Sequence, residues 1–112
     1  MAFQDITGIK LGQEALTTAY SILYTTPTST RTYVKDITVA NTTAGSLNVF
    51  VHIVPDGSSA GTANALLYTK AIAANDIYQW SGLQIMNASE TLQAKASGTG
   101  LTINVSGANA VE

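Results

Sequence analysis

The sequence predicts an all-β protein: an antiparallel β-sandwich of jelly-roll type, with about seven or eight short strands behind an N-terminal arm. Two observations carry the prediction. In LNVFVHIV, residues Leu47, Val49, Val51 and Ile53 are apolar at every second position, which is strand periodicity. Turn residues also recur at spacings of about 8–12 along the chain, the rhythm of a sandwich rather than of alternating strands and helices.

Residues 1–18 read as the arm, with Phe3, Ile6, Ile9 and Leu11 as its apolar positions. The sandwich domain spans 19–107, and 108–112 form a short tail. The first strand is AYSILYT, with Tyr20, Ile22 and Tyr24 on one face, and Pro27 ends it. TYVKDITVAN follows. Lys35 interrupts its odd-numbered apolar face, and a bulge near Lys35 and Asp36 would turn Val34 inward. NTTAGS is a turn into the strand at Leu47–Val54. On that strand Phe50 and Val54 share the second face with Asn48 and His52. Because this second face is half apolar, both faces are expected to be covered, in so small a chain by another subunit.

PDGSSAGTAN has the composition of a projecting loop. Residues 64–75 read as a strand of ambiguous register. A helix remains an alternative there, since Ala and Leu favour helix and Asn64 could cap it. IYQWSG, a short apolar run at LQIM, a turn at Asn87–Glu90, and a strand with Leu92, Ala94 and Ala96 on one face come next. LTINVSG, with Leu101, Ile103 and Val105 inward, closes the set.

Charged residues make up 11% of the 112, against about 25% in an average soluble domain. With a net charge of −2 and five dispersed basic residues, no electrostatic footprint for nucleic acid is expected. There are no cysteines, which excludes disulfides and thiol catalysis. The N-terminal residues lack the pattern of a secretory signal, and no apolar run reaches the roughly 20 residues of a membrane span. A chain made in the cytoplasm of its producing cell is therefore expected.

Little in the sequence points to chemistry. His52 is the sole histidine, and a catalytic base needs an orienting carboxylate and a nucleophile beside it. Its expected place is a strand surface or subunit contact. The acidic residues are scattered, so no metal site is expected. Gly98 and Gly100 flank Thr99 as hairpin glycines rather than a phosphate loop, and the N-x-S/T triplets at Asn41, Asn87 and Asn104 read as chance matches. No catalytic residue and no cofactor is assigned. Tyr78 and Trp80 lie on one face of their strand. They suit either stacking on a sugar or closure of the sandwich core or an interface.

From Tyr24 to Pro27, Ile37 to Asn41, Val54 to Gly57, Asn87 to Ala94 and Val105 to Gly107, the chain resembles small bacteriophage virion β-proteins. The likeness spans residues 15–107 and consists of strand and turn signatures. It implies a capsid decoration or cement protein, commonly a homotrimer, on the capsid surface of the virion. The implied partners are the major capsid protein and other copies of itself. Under this reading Phe3, Ile6, Ile9, Leu11, Phe50 and Val54 are the partner-binding candidates. The alternative is a tail-fibre or tail-tip module holding host-surface carbohydrate with Tyr78 and Trp80.

Overall fold

The computed structural model describes residues 5–111 and contains eight strands in two four-stranded antiparallel sheets. The strands are β1 (Asp5–Ala15), β2 (Ser21–Thr25), β3 (Thr30–Asn41), β4 (Leu47–Val54), β5 (Ala65–Ile72), β6 (Ile77–Met86), β7 (Thr91–Ala96) and β8 (Leu101–Val111). One sheet has the order β1-β8-β3-β6 and the other β2-β7-β4-β5. The chain alternates between sheets except at the β4–β5 hairpin, which is jelly-roll topology. The expected fold class is therefore found.

Side-chain alternation builds the core between the sheets. Leu101, Ile103 and Val105 of β8 are fully buried against Val49, Val51, Leu92 and Ala94 of the facing sheet. In β3 the parity of buried positions changes partway along: Thr32 and Val34 point inward before Lys35, Ile37 and Val39 after it. The expected bulge lies there, as a register shift between Val34 and Asp36. It is one of three at neighbouring levels across the first sheet. β1 carries the extra residue Leu11 opposite Ser106 and Val105, and β6 carries Gly82 and Leu83 opposite Lys35. Gly107 is required beside this line, because a Cβ on it would collide with the Tyr33 carbonyl oxygen and touch Leu11 Cδ1 at 3.0 Å.

Several sequence-based expectations are corrected. Within the expected arm, residues 5–15 form strand β1, paired with β8 along its length, and Leu11 and Leu16 belong to the core. Phe3 lies outside the described residues. Residues 108–111 are no tail but the end of β8, paired with both β1 and β3. IYQWSG and LQIM are one strand joined through the bulge at Gly82 and Leu83. Tyr24 does not share the outward face of Tyr20 and Ile22. A shift between Ile22 and Tyr24 turns it inward, where its hydroxyl accepts from Asn109 Nδ2 at 2.7 Å. Residues 65–72 are strand, and Asn64 ends a single 3-10 turn, Thr62–Asn64, rather than capping a helix.

Candidate functional site: the two outer faces

The sandwich has two outer faces, and they differ in what covers them. On the β2-β7-β4-β5 sheet, strand β4 turns Phe50, His52 and Val54 outward, and the chain itself buries the last two. For these two the cover comes from within the chain, where a second subunit was expected. His52 has no solvent exposure, with Tyr20 and Tyr68 set edge-on to its ring at centroid distances of 5.0 and 6.2 Å. Phe50 packs edge-on against Tyr68 at 5.2 Å. The Lys95 ammonium lies 4.7 Å from the Tyr20 ring centre and 4.9 Å from that of Phe50, within cation–π range.

A hydrogen-bond chain runs through this cluster, and its polarity follows from Asn64. The Asn64 Nδ2 donates to the Ser59 carbonyl at 3.0 Å, and its Oδ1 accepts from the Gly61 N–H at 3.0 Å. His52 Nδ1, 2.9 Å from that same oxygen, must therefore carry the proton. In the neutral ring Nε2 is then the acceptor, and the Tyr20 hydroxyl donates a hydrogen bond to it at 2.9 Å. Both ring nitrogens are committed, one to the 55–64 loop and one to the segment entering β2. The arrangement is a clamp that holds loop and strand together. The Tyr20 hydroxyl is held above its ordinary value of 10.0, first by desolvation and then by the neighbouring Tyr68.

The other sheet presents a different surface. Cross-strand pairs put Gly8, Ala108, Tyr33 and Ile85 in one outward row, with Ile6 and Ala110 beside it. Ile6, Tyr33, Lys35, Leu83 and Ala108 line an open depression of about 370 Å³. Ile6 is 65% exposed, Leu83 54% and Ile85 47%, so a group of large apolar side chains faces solvent at one end of the sheet. Toward the other end the face becomes polar, with Gln13, Asn104, Thr38 and Gln79 in register.

Of the partner-binding candidates, Ile6 lies on this exposed patch, Ile9 packs against the core, Leu11 is buried in it, Phe50 is half-buried in the aromatic cluster and Val54 is buried. This apolar patch thus contains residues that the sequence did not single out, Tyr33, Leu83 and Ile85. Tyr78 and Trp80 do share a face of β6, but it is the inner one. They pack on the core as half-buried residues, with Lys70 Nζ 4.7 Å from the Tyr78 ring centre. Among the described residues no group of three or more His, Cys, Asp or Glu side chains is placed to hold a metal ion. Asn41 is buried, and its amide donates to the carbonyls of Gly45 and Ile72 while accepting from Thr43, so it is no glycan acceptor.

No protein-family model matches the sequence, and no curated protein matches it. Among solved structures, a chain in the structure of infectious bursal disease virus, Gx strain, superposes with a TM-score of 0.56 at 11% identity. The match covers 96% of this chain but 32% of the viral one, so the protein spans about a third of that chain's length. A chain from Bacillus endospore appendages, described as disulfide-linked pili, superposes with a TM-score of 0.52 at 15% identity, covering 99% of this chain and 94% of the other. At these identities the likeness is one of fold: this chain shares a β-sandwich fold with a chain of that virus structure and with the appendage chain.

Proposed function

We propose that this protein is a structural subunit of a bacteriophage particle, a decoration protein that binds the outside of the head and contacts other copies of itself. The observation that carries the reading is the exposed apolar surface formed by Ile6, Leu83 and Ile85 around Tyr33 on one sheet of the jelly roll. A patch of this kind on a small, weakly charged protein marks a surface used for association. The viral structural neighbour supports the fold side of the reading, and the sequence resemblance to small phage virion proteins supports the setting.

The mechanism is mass action. A protein that binds only the assembled lattice stabilises that lattice by its binding free energy, repeated over many copies. No catalysis is assigned, and the sole histidine has both ring nitrogens engaged in holding the fold. The partners are the major capsid protein and further copies, with a homotrimer as the arrangement that the resemblance implies. Synthesis in the bacterial host cytoplasm and residence on the capsid surface follow from the same reading.

The carbohydrate-binding alternative has lost the aromatic pair on which it rested, because Tyr78 and Trp80 turn toward the core. A different second reading, a subunit of a surface appendage, has one observation in its favour: the near end-to-end match with the endospore appendage chain. With no cysteine, this chain would have to hold such a fibre together without disulfides. Gold-labelled antibody against the protein, applied to particles and fibres from the producing culture, separates the readings. Label spread over particle heads supports decoration, label at the tail contradicts it, and label along cell-surface fibres favours the appendage.

A further inference from the structure

The four edge strands of the sandwich are not equally protected against pairing with another chain. An edge strand exposes a row of unpaired backbone N–H and C=O groups, and soluble proteins blunt it with charge, proline, brevity or distortion. β2 is five residues long and is broken by its shift between Ile22 and Tyr24. β1 carries Lys10 and Glu14, bulges at Leu11, and packs Gly12 against Leu23 of β2. β5 carries Lys70 beside Thr69, whose φ of 56° distorts the strand, and its register with β4 shifts twice. β6 differs from all three. It is ten residues long, IYQWSGLQIM, with no charged residue and no proline. Its one irregularity, at Gly82 and Leu83, leaves the uninterrupted stretch Ile77 to Ser81 beside it.

The same strand borders the apolar patch, to which it contributes Leu83 and Ile85, and it adds exposed Ile77 farther along. We propose that β6 is the self-pairing edge of the protein: a second copy joins antiparallel along β6, extending the β1-β8-β3-β6 sheet across the pair and bringing the two patches together. Antiparallel pairing of a strand with itself is two-fold, so the same groups recur on both sides of the contact. An uncharged strand pairs with itself without placing like charges opposite one another, which would be destabilising. At the margin of the patch, the adjacent Lys35 and Asp36 give each copy one charge of either sign to offer its partner. This inference rests on the self-association in the proposed function and names the contact; it adds to any three-fold contact between copies rather than replacing it.

The absence of cysteine gives a clean test in the full-length chain. Single-cysteine variants at Gln79, Ser81 and Gln84 on β6, and at Gln13 on β1 as a control, are oxidised mildly and resolved by size. Paired strands bring opposite residues within disulfide reach, so at least one β6 variant should form a covalent dimer about tenfold faster than the Gln13 control. In parallel, Leu83→Lys and Ile85→Lys should weaken self-association in sedimentation velocity by about tenfold or more while the melting temperature stays near that of the unmodified protein. Self-association that persists in both lysine variants, with no preferential cross-link on β6, overturns the β6 contact and leaves the self-association reading standing. An unmodified protein that stays monomeric at high concentration overturns both.

Discussion

Gly107 is the residue on which the geometry of the first sheet most depends. It lies on the central strand β8 beside the bulge in β3, where the Tyr33 carbonyl oxygen occupies the space a Cβ would need. Backbone cannot swing aside as a side chain can, so Gly107→Ala should cost about 2–4 kcal/mol, read as a lowered urea midpoint. Thr26 points the other way. Its buried hydroxyl oxygen has no partner among the described residues, so the nearly isosteric Thr26→Val should raise stability by about 1 kcal/mol in the same assay. At Tyr20 the effect is one of pH. Its folded-state value is raised, so its contribution is intact below pH 10.0 and is lost as pH rises through that higher value. The difference in unfolding midpoint between the protein and Tyr20→Phe should therefore shrink as pH climbs above 10.0. The inward positions of β8 and the Lys35 bulge were legible in the sequence, because alternation exposes a charged residue that falls on an apolar face. The role of His52 was not: its partners lie 12 and 32 positions away, at the far end of a loop and in the segment entering β2.

At the scale of elements, the N-terminal residues show why an apparent arm can be a strand. Ile9 and Leu11 both turn inward, but the bulge at Leu11 changes parity, and the inward positions that follow, Gly12 and Glu14, are not apolar. No alternation survives for the eye to find. Because β1 supplies Leu11 and Ile9 to the core, deletion of residues 1–12 should not leave the domain intact. Loss of a buried leucine alone costs about 2–5 kcal/mol, and the β8 edge would be uncovered as well. Circular dichroism melting of that truncation should show a large fall in transition temperature; an unchanged transition would mean that β1 contributes little. The strand at 65–72 was legible only as an ambiguity, since its Ala and Leu content favours helix locally while pairing with β4 decides in favour of strand. Likewise Phe50 and Val54 announced a second covered face. Only the folded chain shows that the 55–64 loop, Tyr20 and Tyr68 close over His52, and that the opposite face carries an apolar patch of its own.

At the scale of the whole molecule, the protein measures 50 × 26 × 18 Å, an elongated slab with an aromatic cluster over one outer face, where Tyr20, Ile22 and Tyr68 stay exposed, and an apolar patch at one end of the other. Low charge, readable from composition, fits association but says nothing of where. The patch itself was hidden because Ile6, Tyr33, Leu83 and Ile85 come from three strands that the sequence scatters, and Leu83 lies in, and Ile85 beyond, a bulge that the sequence does not reveal. The central claim, that the protein is a structural component of a virus particle, is met most directly by quantitative mass spectrometry of particles purified through a density gradient. The account predicts that the protein bands with the particles at a fixed copy ratio to the major capsid protein, on the order of one per few capsid subunits, as repeated binding to a symmetric lattice requires. Protein confined to the soluble fractions, with none in the particle band, would contradict it.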